Sequence, residues 1–221
     1  PNFMNIPGEN ALNIMSSNEY LTRVNLMDAA NPHTDTPINL GKKVVVVGGG
    51  NTAMDSCRTA KRLGAEVTLV YRRSEAEMPA RLEEVKHAKE EGINFMTLHN
   101  PKEYEADEKG AVKAVVLDVM QLGEPDASGR RRPEATGETI TLECDQVIVA
   151  VGVSPNPLVP KSIEGLELGR KNTIAVNDQM QSSIEEIYAG GDIVRGGATV
   201  ILAMGDGRKA ALNMSEKLLK K

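Results

Sequence analysis

Four consecutive valines, Val44 to Val47, run straight into Gly48-Gly49-Gly50-Asn51-Thr52-Ala53, and that junction narrows the fold more than any other stretch of the chain. A β-branched run with no polar alternation suits a strand covered on both faces, the situation inside a parallel sheet. The pattern predicts a strand over Lys43–Val47 and a helix from about Asn51 to Leu63, with Gly64 as its left-handed stop. A second strand, Glu66–Tyr71, follows. Pro79 is expected to open another helix that runs to Gly92, ahead of a strand at Ile93–Leu98. Two strand–helix–strand units with short turns imply an α/β fold with a parallel sheet and right-handed crossovers.

Gly48 to Ala53 reads G-x-G-x-x-A. The first glycine allows a tight turn, the second lets a pyrophosphate approach the backbone, and the small third residue lets helix and strand pack closely. The N-terminus of the helix offers free N–H groups and a positive dipole end to phosphates. Strand before, helix after and a second strand in place make this a dinucleotide turn rather than a bare glycine motif. The alternative is a glycine turn in an unrelated α/β protein. The second strand would end in Asp or Glu for a free ribose hydroxyl; here it ends in Arg72 and Arg73. Two guanidinium groups would accept a 2′-phosphate, so the expected cofactor is NADP(H) rather than NAD(H). The bland alternative is a solvated basic strand end. Tyr71 would either cover the adenine or pack.

Composition excludes several classes. Aromatic residues make up only 3%, with no Trp, which argues against a stacking platform for single-stranded nucleic acid. The net charge of −5 makes a poor phosphate-backbone binder. Cys57 and Cys144 form no C-x-x-C, and His33, His87 and His99 are scattered, so no metal site is expected. No apolar run reaches the roughly 20 residues of a membrane span, and no signal peptide is visible, which makes a cytoplasmic setting the default. The chain begins Pro1-Asn2-Phe3 without an initiator Met, as a fragment or processed product would.

Ser16-Ser17-Asn18-Glu19 has capping-box spacing, so a helix should start near Ser17, with Tyr20, Leu21, Val24 and Met27 on its apolar side. Asn31-Pro32 and Thr36-Pro37 then read as a connection. Glu103–Leu142 lacks helical periodicity and is expected to form an antiparallel meander: Ala114–Val119 and Thr139–Leu142 are strand-like, with a polar, turn-rich Gly123–Gly137 between them. Gln146–Val151 should be a buried strand ending at Gly152, and Pro155, Pro157 and Pro160 mark a boundary. Beyond it a strand near Thr173–Val176, the segment Ile187–Asp192 and a helix from about Ala198 are predicted. Cys57 falls among core positions of its helix, Arg130-Arg131-Arg132 reads as a hairpin tip with docking to a partner as the alternative, and Glu83, Glu84, Lys86, Glu90 and Glu91 read as a solvated face.

Ala189-Gly190-Gly191-Asp192, followed by Ala198-Thr199-Val200 and Gly205-Asp206-Gly207-Arg208-Lys209-Ala210-Ala211, resembles the C-terminal flavin motif of the two-dinucleotide-binding flavoproteins. Ala150-Val151-Gly152 resembles the crossover from their NAD(P) domain back to the FAD domain. Within that family, Gly-Gly-Gly-Asn-Thr-Ala-Met-Asp and Tyr-Arg-Arg-Ser resemble the small subunit of NADPH-dependent glutamate synthase. They also resemble the large subunit of NADH-dependent reduced ferredoxin:NADP oxidoreductase, to which Leu122–Pro133 is especially similar.

The resemblance implies a Rossmann-like NADP(H) domain at 41–151, with 1–40 and 152–221 belonging to an FAD domain. It implies that Asp192 holds a flavin-side hydroxyl, with Gly191 in the same turn, and that the N–H groups of Ala198 and Thr199 face the flavin edge. The glycine turn that would bind the FAD ADP moiety, and an iron–sulfur segment, would lie ahead of Pro1, so the chain resembles a C-terminal fragment with half a flavin site. The implied activity passes hydride from NADPH to FAD and electrons on to iron–sulfur centres. The implied partner is a large catalytic subunit or a ferredoxin-type acceptor, not nucleic acid or membrane. Two alternatives keep the site: a ferredoxin:NADP or sulfide dehydrogenase type subunit, and an NADP(H)-binding module with no activity of its own. A single-domain dehydrogenase is disfavoured because no Tyr-x-x-x-Lys pair is present.

Overall fold

In a computed structural model, which describes residues 1–125, 129 and 131–219, the chain divides into two units, Pro1–Gly152 and Val153–Lys221. Unit one runs Ile14–Ser16 (β1), Ser17–Leu21 (α1), Lys43–Val47 (β2), Asn51–Arg62 (α2), Glu66–Tyr71 (β3), Leu82–Glu90 (α3), Asn94–Thr97 (β4), His99–Ala106 (β5), Val112–Pro125 (β6), Arg131–Glu143 (β7) and Gln146–Val149 (β8). Five strands make a parallel sheet in the order β1-β8-β2-β3-β4, and β5-β6-β7 make an antiparallel meander.

The valine run explains how the layers are stacked. Successive side chains of a strand point to opposite faces. Val44 and Val46 pack with Ala53, Met54, Cys57 and Ala60 of α2, while Val45 and Val47 pack with Tyr104, Val115 and Leu117 of the meander. Every valine of β2 is therefore buried, which is why the segment shows no alternation. α2 and β3 follow the expected limits closely, with Gly64 at φ +97° after the helix.

Three departures have identifiable causes. No unit boundary falls at residue 40. Ile14–Ser16 pairs in parallel with β8, and Asn13 ties the start of β1 to it through Val147 N–H to Asn13 O (3.0 Å) and Asn13 Nδ2 to Asp145 O (3.2 Å). Residues 1–40 are thus packed with 41–152. Ser16 does cap the helix, accepting from Glu19 N–H, but α1 passes into a π-helical turn at Thr22–Leu26 that leaves Met27 exposed. The helix expected from Pro79 starts instead at Leu82. A 3₁₀ turn at Glu75–Glu77, closed by the Ser74–Glu77 capping box, comes first. Met78 and Arg81 are then extended.

The meander is longer than its sequence signal. β6 and β7 remain paired as far as Pro125 and Arg131, and the Arg131 guanidinium donates to the Leu122 and Gly123 carbonyls (both 3.0 Å). Much of Gly123–Gly137 is therefore ladder rather than connection. Arg130 of the basic triplet lies outside the described residues.

Unit two holds Leu158–Ser162 (α4), Asp192–Arg195 (α5) and Val200–Leu219 (α6). The strand expected near Thr173–Val176 is reduced to a single Leu168–Ile174 bridge. The Asn177 side chain turns the chain immediately afterwards, accepting from the N–H groups of Gln179 and Gln181.

Candidate functional site

The glycine turn and the end of β3 are brought together by the β2–β3 register, which sets Val47 beside Val70. Gly48 is at φ +143°, its N–H donates to Val70 O (3.0 Å), and a Cβ there would collide with the Ala150 carbonyl. A Cβ at Gly49 would stand 2.6 Å from the Tyr71 ring. Tyr71 therefore packs on the turn, and its hydroxyl donates to Glu77 O (2.9 Å). That resolves its role as packing. A Cβ at Gly50 would meet nothing within 4 Å, so the turn is open at the residue that caps α2. Ala53 is fully buried, as close helix–sheet packing requires, and Asn51 and Thr52 are exposed. The N–H groups of Asn51 and Thr52, in the first turn of α2, have no intrahelical acceptor. The result is an open helix N-terminus suited to an anionic ligand.

Arg72 is exposed and Arg73 half-buried at the end of β3. Arg73 Nε is buried with no hydrogen-bond partner among the described residues. Burying a charged donor unsatisfied is costly, and a phosphate oxygen is the natural acceptor for a guanidinium. The glycine cradle and this orphaned donor together fit an NADP(H) molecule.

The segment after β3 crosses the turn: Ala80 N–H donates to Gly49 O (3.0 Å) and Arg81 N–H to Asn51 Oδ1 (2.9 Å). These bonds hold residues 78–81 out of the helix and delay α3. Asn51 was expected as a cofactor-binding residue, yet its side-chain oxygen is engaged in closing this strap. Gly152, at φ +97°, accepts from Asn2 N–H through its carbonyl (2.9 Å).

In unit two the Gly190-Gly191-Asp192 turn is organised by an aspartate of the following helix. Asp206, buried within α6, accepts from Gly191 N–H (3.0 Å) and from Arg195 Nε and Nη2 (both 2.6 Å). Gly190 must lack a side chain because its Cβ would lie 2.7 Å from Asp206 Cβ. Gly191 is buried at φ +76°. Asp192 is exposed, and its Oδ1 accepts from Ala198 N–H (3.2 Å). The Ala198 N–H is thus engaged within the loop. Thr199 caps α6, its Oγ1 accepting from Leu202 N–H (3.4 Å).

The Arg195 guanidinium and the Gly191 N–H hold the Asp206 carboxyl down to about 2, below its ordinary 3.8. A carboxyl whose pKa is depressed on folding stabilises above its unfolded pKa, and loses that contribution as pH falls through the folded value. Unit two should therefore lose stability between about pH 4 and pH 2. Asp206→Asn is expected to be less stable at pH 7 and to show a flatter stability profile over that window, measured by thermal unfolding. An unchanged profile would remove Asp206 as the acid-sensitive group.

Burial pushes the Cys57 thiol far up and the Cys144 thiol to about 12. Thiols of that kind are core residues, not nucleophiles. Among the described residues no group of His, Cys, Asp or Glu is arranged to hold a metal, and no helix is long and apolar enough to cross a membrane.

The family model described as pyridine nucleotide-disulphide oxidoreductase matches residues 1–207. The NADP(+)-dependent formate dehydrogenase subunit beta of Moorella thermoacetica is 45% identical over 182 residues, covering 80% of this chain and 25% of that protein. The glutamate synthase [NADPH] small chain of Escherichia coli K12 is 43% identical over 177 residues, covering 77% of this chain and 38% of that protein. Thioredoxin reductase of T. acidophilum shares the fold, with a TM-score of 0.75 at 21% identity over 99% of this chain and 62% of that one. The chain thus spans well under half the length of either of the first two relatives.

Proposed function

Because the chain belongs to the pyridine nucleotide-disulphide oxidoreductase family, we propose that unit one binds NADP(H) and that the whole protein is an NADPH-dependent flavoprotein oxidoreductase subunit. The observation that carries the reading is the open glycine turn beside the buried, unsatisfied Arg73 Nε. The backbone N–H groups of Gly49 to Thr52 would receive the pyrophosphate, with Gly48 shaping the turn, and Arg72 and Arg73 would receive the 2′-phosphate. When bound, NADPH supplies a hydride and FAD takes up its two electrons. Unit two would contribute Asp192 and the Thr199 N–H to the flavin side, with Gly191 and Ala198 shaping the loop through their bonds to Asp206 and Asp192. The exposed Asp192 carboxylate suits a sugar hydroxyl, and the exposed Val200, Ile201 and Met204 supply apolar surface beside it. The tools for hydride transfer are positioning and exclusion of water, so no acid–base residue is assigned.

An onward electron route through iron–sulfur centres to a large subunit is the reading that the resemblance to the glutamate synthase small subunit supports, and the chain is 43% identical to the Escherichia coli K12 glutamate synthase [NADPH] small chain. A second reading, with a different acceptor, draws on the formate dehydrogenase subunit at 45%. Both names carry NADP, which supports the NADP(H) reading of this segment and leaves the acceptor to experiment.

Calorimetric titration of the chain with NADPH and NADH tests the cofactor reading: NADPH should bind more tightly, and equal affinities would overturn the 2′-phosphate site. Glutamine- and 2-oxoglutarate-dependent NADPH oxidation by the purified complex tests the acceptor. Its absence alongside NADPH:ferricyanide activity would select the second reading.

A further inference from the structure

We propose that Arg81 is a third cofactor-binding arginine, holding the pyrophosphate of NADP(H) from the side of the strap. The inference rests on the NADP(H) reading above. Its first support is position. Arg81 N–H is hydrogen-bonded to the side chain of Asn51, the first residue of α2, and the preceding Ala80 N–H is bonded to Gly49 O. The backbone that carries Arg81 is therefore tied at two points to the turn where a pyrophosphate would lie.

The second support is the pattern of guanidinium use. In unit one Arg23, Arg58, Arg62 and Arg131 each donate to a carboxylate or a carbonyl. Among the described residues of that unit, the guanidiniums without a protein acceptor are those of Arg72, Arg73, Arg81 and Arg132. Arg132 lies in the β6–β7 hairpin; the other three belong to the turn and its strap. Of the nearby acids Glu75 pairs with Lys89 and Glu84 with Arg58, while Glu77 keeps its charge and accepts from Ser74. Three arginines without a protein acceptor thus flank one open glycine turn, and Arg73 and Arg72 at the strand end account for only one of the phosphates that the cofactor carries.

The strap also explains the chemistry. Arg81 precedes α3 with φ −62° and ψ 140°, and its guanidinium, which has donors only, takes no part in capping that helix. Asn51 and Gly49 set its place, and a guanidinium can take two phosphate oxygens at once.

The test uses calorimetric titration of the chain with NADPH and with 2′-AMP, which retains the 2′-phosphate and lacks the pyrophosphate. Arg81→Ala should weaken NADPH by about ten-fold or more, the worth of one charged hydrogen bond, and leave 2′-AMP unchanged. Arg81→Lys should fall between the two, because it keeps charge but loses the fork. Arg73→Ala should weaken both ligands. An exposed side chain with no partner can be removed without unfolding the chain, and thermal unfolding of each variant checks that. NADPH affinity within two-fold of the unsubstituted chain, or equal weakening of NADPH and 2′-AMP, would overturn the assignment. Failure of the unsubstituted chain to bind either ligand would instead overturn the cofactor reading on which it stands.

Discussion

Replacing Arg73 with alanine is expected to weaken NADPH binding by roughly 10- to 100-fold while leaving NADH within about two-fold. The size follows from burial. A charged hydrogen bond is worth about 1.5–3 kcal/mol, and each 1.4 kcal/mol is a factor of ten. Arg72 carries the same charge but is exposed, so its contribution is screened by salt. Arg72→Ala should cost only a few-fold, and that cost should shrink between low and high ionic strength. The Arg73 effect should persist, because its Nε is out of solvent. Titration of both variants with NADPH and NADH at two salt concentrations reads all of this. Equal losses for the two nucleotides would remove Arg73 from the 2′-phosphate site.

The second large effect separates the two glycines that a motif treats alike. Gly48→Ala should destabilise the protein by about 2–5 kcal/mol, the sum of a strained backbone and an overpacked contact. The residue sits at φ +143°, and the new methyl would collide with the Ala150 carbonyl. Ala150 cannot move aside cheaply, since its N–H is bonded to Val47 O (2.8 Å) at the end of the central β2–β8 ladder. Gly50→Ala should do the reverse. At φ −93° with open space around it, the new methyl leaves stability nearly intact but fills the approach to the helix N-terminus, so NADPH affinity falls. Denaturant unfolding and calorimetry on the two variants distinguish the outcomes. Comparable stability of both would mean that the Gly48 turn relaxes.

Legibility followed the range of the interactions involved. Lys43–Val47 and Glu66–Tyr71 were readable to the residue because burial on both faces writes an apolar run. β1 was not, since three residues carry no periodicity and their pairing depends on Asn13 meeting β8. The start of α3 was misplaced because Pro79 is a good first helical residue locally, whereas the Gly49 carbonyl and the Asn51 side chain hold the next two N–H groups elsewhere. Asp206 was missed for a related reason. An aspartate inside an amphipathic helix reads as solvent-facing, and nothing local announces that Arg195 and Gly191 N–H will meet it.

The sequence by itself determined the strand–turn–helix junction, the basic end of the following strand and the chemistry they invite, because each is a run of consecutive residues whose backbone needs are met locally. Only the tertiary structure decided which arginine is buried, what Tyr71 and Asn51 do, and that Asp206 braces the second turn. Those facts depend on contacts between residues remote in the chain, and strand register and helix packing set such contacts, not the residues' own preferences.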